Sequence, residues 1–287
     1  MSRHKWLHLK LKAPSPVLEA LTEALLDRGA LGAWQQGDQS HLYFPDEFNP
    51  LEIHSSLRSL AGYLGIKPEQ IEFSFSWQEE EDWQAGWKSY FRPTRVGRRI
   101  LVKAPWHELS REQVSTRTII EIEPGMAFGT GTHPSTQLTL EALEELATPD
   151  AATLDVGTGS GILAIAAAKF GCRPVVACDV DPVAVRNAKA NLIRNQATNR
   201  VSLFVGSVDS LVKLPVWDLV LANIQRQVLL RLLPRFSALL RPRGRLVLAG
   251  LIETEYDEMT SEMAKHGLSP TQCLRRDEWI AIVARKD

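Results

Sequence analysis

The sequence predicts an α/β fold: a seven-stranded, mostly parallel sheet covered by helices, with a smaller α+β domain before it. Three observations point there. From about residue 115, short apolar stretches alternate with helical ones, as in a parallel sheet with helices on both faces. Two further stretches, 271–276 and 278–284, read as a closing hairpin. The first 76 residues instead run strand, helix, strand, strand, helix, strand, the order of a ferredoxin-like unit. At 287 residues the chain has room for two domains.

Taken in order, residues 5–12 alternate, with Leu7, Leu9 and Leu11 among charged neighbours, and read as a half-buried strand. Val17, Leu18, Leu21, Leu25 and Leu26 recur at helical spacing, and Gly29 ends that helix. Residues 31–36 and 41–45 read as two strands around a Gly37-Asp38 turn. A helix over 50–61 and a strand over 71–76 complete the first domain, 1–76. Residues 77–97 read as a linker helix, acidic at Glu79-Glu80-Glu81-Asp82, then aromatic, then basic. Such charge blocks suit solvated faces, or a contact surface for a charged partner. The second domain, 98–287, has strand candidates at 153–156, 174–178, 201–205, 217–222 and 244–250. Helices fall at 161–170, 182–195, 226–240 and 254–266.

The totals exclude several classes. With 33 basic and 34 acidic residues, charge argues neither for nor against a nucleic-acid partner. There is no signal-peptide run and no stretch near the roughly 20 apolar residues that span a bilayer. Cys172, Cys178 and Cys273 have no CxxC spacing, so they read as buried thiols and no metal site is expected. A soluble, cytoplasmic protein with no membrane or DNA partner is the expectation.

The most informative segment is Thr153-Leu154-Asp155-Val156-Gly157-Thr158-Gly159-Ser160-Gly161. A strand enters a glycine-rich turn that opens an apolar helix, where backbone N–H groups are free to meet a ligand. About twenty residues on, the next strand ends in Asp179, placed to accept both ribose hydroxyls. The glycines fall at relative positions one, three and five, whereas a dinucleotide loop places them at one, three and six. Asp155 beside the loop suits an ammonium group better than a pyrophosphate. These two points disfavour a nicotinamide oxidoreductase, the competing enzyme class.

A second loop, Glu123-Pro124-Gly125-Met126-Ala127-Phe128-Gly129-Thr130-Gly131-Thr132-His133-Pro134, precedes another helix. Together with Asp179-Val180-Asp181-Pro182 and the Asp82-Trp83…Trp87-Lys88…Phe91 segment, these motifs resemble the methyltransferases of large-subunit ribosomal protein L-eleven (L11). The resemblance covers nearly the whole chain. It implies a Rossmann-like class I methyltransferase domain, S-adenosylmethionine as cofactor, and methylation of lysine ε-amines and an N-terminal α-amine. It also implies that Phe128, Gly129, Thr130 and Thr132 line the cofactor pocket with Asp155, Gly157, Gly159, Gly161 and Asp179. The N-terminal domain is then expected to grip the ribosomal protein and to swing relative to the catalytic one.

Two segments depart from the family pattern: Ala222-Asn223-Ile224-Gln225-Arg226, and Ala249-Gly250-Leu251-Ile252. They leave another protein substrate as the close alternative, and a non-catalytic ribosome-binding module as a third reading. Asn223, at a strand end, is the candidate catalytic residue, orienting the amine through its neutral side-chain carbonyl, and also a cofactor contact. Capping the following helix is its alternative role. His133 reads equally as a base or a loop cap. Six arginines between Leu219 and Ile252 face no acid in sequence, and read as a solvated helix or as a surface for ribosomal RNA.

Overall fold

In the computed structural model, the described residues are 5–26, 28–36, 39–63, 71–79, 92–123, 131–212 and 214–287. The Gly37-Asp38 turn, the 80–91 segment and Phe128, Gly129 and Thr130 lie outside them. The chain divides into two compact units, 1–90 and 91–287.

The first unit contains β1 (Lys5–Lys12), α1 (Ser15–Leu26), β2 (Gly32–Gln36), β3 (Gln39–Pro45), α2 (Pro50–Tyr63) and β4 (Glu72–Glu79). The sheet order is β2-β3-β1-β4, with β1 antiparallel to both neighbours. That is the ferredoxin-like order. Leu7, Leu9 and Leu11 all point to one face and pack with Leu18, Leu21 and Leu25 of α1, all fully or almost fully buried. Each such leucine contributes roughly 1.5–3 kcal/mol on burial, so the period-two strand and the helical stripe fix this unit together.

The second unit opens with a small sheet that the sequence pattern did not reveal. It holds β5 (Thr94–Val96), β6 (Ile100–Lys103) and β7 (Thr118–Glu121), with α3 (Arg111–Thr116) between the last two. Two parts of the expected linker helix are therefore strand. Residues 77–79 extend β4, because β1 pairs with it as far as Lys5↔Glu79, and 94–96 pair with β6.

After α4 (Pro134–Leu146) come β8 (Thr153–Val156), α5 (Ile162–Lys169), β9 (Val175–Asp179), α6 (Pro182–Arg194) and β10 (Val201–Val205). Next are β11 (Trp217–Asn223), α7 (Arg226–Leu239), β12 (Leu240–Ile252), α8 (Tyr256–Lys265), β13 (Leu268–Arg276) and β14 (Trp279–Lys286). The large sheet has the order β10-β9-β8-β11-β12-β14-β13. The first five strands are parallel, and the hairpin joins antiparallel through β14. This is the expected seven-stranded Rossmann-like domain. All four residues of β8 are buried, as befits a central strand with helices on both faces. The chain leaves β8 for β9 on one side and returns to β11 on the other. A crevice forms at such a switch point, beyond the carboxyl ends of the strands.

Candidate functional site

A cavity of about 670 Å³ occupies that crevice. Its floor is the turn after β8. Asp155 is wholly buried there: its Oδ2 accepts from Thr158 Oγ1 at 2.6 Å and from the Ala164 amide at 3.2 Å. Its Oδ1 is buried with no hydrogen-bond partner among the described residues. Burial pushes the Asp155 carboxyl up to about 7, against the two hydrogen bonds that lower it, while the Asp179 charge adds to the rise.

Gly157 is at φ +72°, and a Cβ there would collide with the Ile224 side chain, so only glycine lets the turn pass under that residue. Gly161 is the N-cap of α5 and has no side chain to cap it, leaving that helix end to other acceptors.

Asp179 closes β9 and shapes the same turn. Its Oδ2 accepts from the Gly159 amide at 2.9 Å, and its Oδ1 from the Asp181 amide at 3.0 Å. Asp181 in turn caps α6 through the Val183 amide. Each Asp179 oxygen thus keeps a lone pair for a ligand hydroxyl.

Asn223 ends β11 on the cavity wall. Its Nδ2 donates to Thr136 Oγ1 at 3.4 Å, a long bond, and its Oδ1 is buried without a partner among the described residues. The N-cap of α7 is Gln225, which makes no side-chain cap bond. Asn223 is therefore not a helix cap.

His133 is the N-cap of α4: its Nδ1 accepts from the Ser135 amide at 3.2 Å and lies 2.7 Å from Ser135 Oγ. Its ring meets Trp279 edge-to-face, with centroids 4.5 Å apart. Burial lowers its basicity, with the Glu278 charge opposing. Capping, one of the two roles open to it, is the one the geometry displays.

The structure thus brings Gly157, Gly159, Asp179 and Asn223 around one cavity, with Asp155 buried behind Val156 and Thr158 of its lining and Gly161 directly behind the loop. Thr132 is exposed, and its carbonyl accepts from Gln137 Nε2 at 3.0 Å. The sequence reading missed the far wall, where Ser207 and Val208 follow β10 and Arg231 projects from α7. It also missed Trp279, at the start of β14. The signal was available for Ser207 and Val208: they follow a parallel strand at the same end as Asp155 and Asp179.

One buried residue ties two loops together. Asn191 of α6, 1% exposed, accepts from the Glu123 amide at 3.0 Å and donates to the Ser160 carbonyl at 2.9 Å. It joins the start of the 124–130 segment to the glycine turn.

The family described as Ribosomal protein L11 methyltransferase (PrmA) matches residues 5–287. A protein of that name from Symbiobacterium thermophilum is 44% identical over 212 residues, covering 74% of this chain and 68% of the relative. Another, from Alkaliphilus oremlandii, is 31% identical over 312 aligned positions, covering 98% of each. Among solved structures, a ribosomal protein L11 methylase from Lactobacillus delbrueckii subsp. bulgaricus superposes with a TM-score of 0.63 at 28% identity. It covers 69% of this chain and 100% of that one.

Proposed function

The chain belongs to the ribosomal protein L11 methyltransferase family, and from that premise we propose that it transfers methyl groups from S-adenosylmethionine to amines of ribosomal protein L11. The single observation that carries the reading onto this chain's residues is a pair of buried, unpartnered acceptors: Asn223 Oδ1, on a residue that lines the cavity, and Asp155 Oδ1, directly behind the lining residues Val156 and Thr158. A buried acceptor left unpaired costs about 1–3 kcal/mol, so each marks a place where a donor belongs.

The residues fit the cofactor. Asp155 would hold the ammonium of its methionine end, and the carboxylate of Asp179 would take both ribose hydroxyls. The turn at Gly157 and Gly159 lets the backbone approach closely. Phe128, Gly129, Thr130 and Thr132 are further proposed contacts. When bound, S-adenosylmethionine would supply an electrophilic methyl on its sulfonium, passed in line to the amine nitrogen with the neutral thioether as leaving group.

What the protein supplies is placement and dryness. Asn223 orients the amine by accepting an N–H, and its neutrality matters. A carboxylate there would favour the ammonium, which has no lone pair to attack with. Deprotonating a lysine of ordinary pKa at pH 7 costs roughly 4–5 kcal/mol. An apolar, partly closed site lowers that cost by disfavouring the charged form. Holding the amine in line accounts for much of the remaining acceleration. Thr136 positions Asn223, and the proton leaves to water.

The targets are lysine ε-amines and an N-terminal α-amine. The domain boundaries are proposed at about 1–76 and 98–287, with the first unit as the grip on the substrate. Among the described residues no helix is long and apolar enough to cross a membrane, and the proposed location is the cytoplasm, beside the ribosome. Incubation with tritiated S-adenosylmethionine tests the reading: label is expected in L11 and not in an unrelated lysine-rich protein. Equal label in both would remove L11 as the specific target.

A further inference from the structure

The basic run in α7 is not uniformly solvated. Arg235 is buried, 7% exposed, among Leu232, Leu239 and Phe236. Its Nε and Nη2 donate to the Val208 carbonyl at 3.2 and 3.1 Å, and Nη2 also donates to the Leu211 carbonyl. Its Nη1 is buried with no partner among the described residues. Arginine stays charged in any protein, so this is a buried cation held by backbone oxygens with one donor unsatisfied. An apolar side chain would pack there at lower cost. The arrangement calls for a reason other than stability.

The reason lies on the other side of the carbonyls. Val208 opens the 3-10 turn Val208–Ser210, and Gly206, Ser207 and Val208 form one wall of the cavity. That short segment is tied at three points. The Gly206 amide donates to the Asp179 carbonyl at 2.8 Å, and Ser207 Oγ accepts from the Asp209 amide at 3.2 Å. Arg235 grips it from behind at both ends of the turn. Asp179 would take the ribose, and this wall, bonded to Asp179 through Gly206, would then hold the nucleoside side of the cofactor.

We propose that Arg235 is a positioning residue for cofactor binding, acting through the Val208–Leu211 turn that it clamps. The inference rests on the S-adenosylmethionine reading above. It assigns Arg235 to affinity for the cofactor and not to the amine side, where Asn223 stands.

The test is calorimetric titration of S-adenosylhomocysteine into the whole protein and its Arg235→Met and Arg235→Lys variants. Binding by the wild type tests the cofactor reading by itself. Losing three charge-assisted bonds to two carbonyls raises Kd about tenfold or more in Arg235→Met. Lysine reaches one carbonyl and recovers part of the loss. Amide hydrogen exchange across 207–211 accelerates in both variants, while kcat at saturating cofactor and KM for L11 stay within about twofold of wild type. If Arg235→Met does not fold, Arg235→Lys carries the test with a Kd raised about threefold. A folded variant with faster exchange at 207–211 and wild-type Kd overturns the proposal, as does a loss confined to kcat.

Discussion

Gly250 keeps the space beside Asn223 open: a Cβ at position 250 would lie 3.2 Å from Asn223 Oδ1 and 2.6 Å from the Ile224 carbonyl oxygen. With φ at +81°, residue 250 also occupies a conformation that side chains resist. Gly250→Ala is expected to displace the turn that carries Asn223. Methylation should slow by about tenfold or more, since a misplacement of the order of an ångström costs up to a hundredfold. Binding of S-adenosylhomocysteine should change far less. Steady-state rates beside calorimetry separate the two, and an unaffected rate would detach Gly250 from the amine site.

Asp155 predicts a pH dependence. Its carboxyl titrates near 7 in the folded protein because burial outweighs its hydrogen bonds, against about 4 in an unfolded chain. The folded state therefore holds a proton that the unfolded state releases. Its contribution to stability is complete below pH 4, falls as pH rises from 4 to 7, and is constant above. Ligand binding runs the other way, because the ammonium pairs with the ionised form. S-adenosylhomocysteine should bind about tenfold more tightly per pH unit between 5 and 7, then level off. Asp155→Asn should bind weakly and flatten that profile. A flat profile in the wild type would dissociate Asp155 from the ammonium.

Asn191→Leu breaks both bonds of the bridge between Glu123 and Ser160. The buried Ser160 carbonyl loses its partner, costing about 1–3 kcal/mol, and the more exposed Glu123 amide loses less because water can replace the bond. Thermal melting should show that loss, and cofactor affinity should fall because the glycine turn is no longer tied to Glu123. A lowered melting temperature with unchanged affinity would confine Asn191 to the fold.

Glu144 anchors the turn between β5 and β6. Nine-tenths buried, it accepts from the Arg98 amide at 2.8 Å, the Arg99 amide at 2.6 Å and Arg99 Nε at 3.1 Å. Gly97, at φ +55°, has no room for a Cβ against that carboxylate. Glu144→Ala should destabilise by about 2–4 kcal/mol in urea unfolding, with kcat nearly unchanged, since three donors lose a charged acceptor. A loss below about 0.5 kcal/mol would mean that water replaces the carboxylate.

Much of this was legible in advance, and the reasons for the exceptions are physical. The β-α alternation, the two strand-end aspartates and the glycine turn each leave a local signature of period, spacing or residue type. Strands of three and four residues, as at Thr94–Val96 and Ile100–Lys103, are too short to display alternation. β12 starts at Leu240, ahead of the expected 244, because Leu240 pairs with Trp217 of β11 across a register shift that no local pattern marks. Arg235 was invisible for a different reason. Its partners are backbone carbonyls more than twenty residues away, and no residue type marks a carbonyl as the mate of a cation. The place of Asn223 on the cavity wall was legible because strand position and residue type coincide, whereas Asn191 sits mid-helix and gave no signal of its two contacts.

The cavity lined by Asp179 and Asn223, with Asp155 behind it, is proposed to methylate L11. Intact-mass spectrometry of purified L11, after incubation with the protein and S-adenosylmethionine, tests it most directly. Mass gains in steps of one methyl group are expected, abolished in Asp179→Ala for want of cofactor, and in Asn223→Ala with cofactor still bound. An L11 mass that does not change while the wild type binds S-adenosylhomocysteine would contradict it.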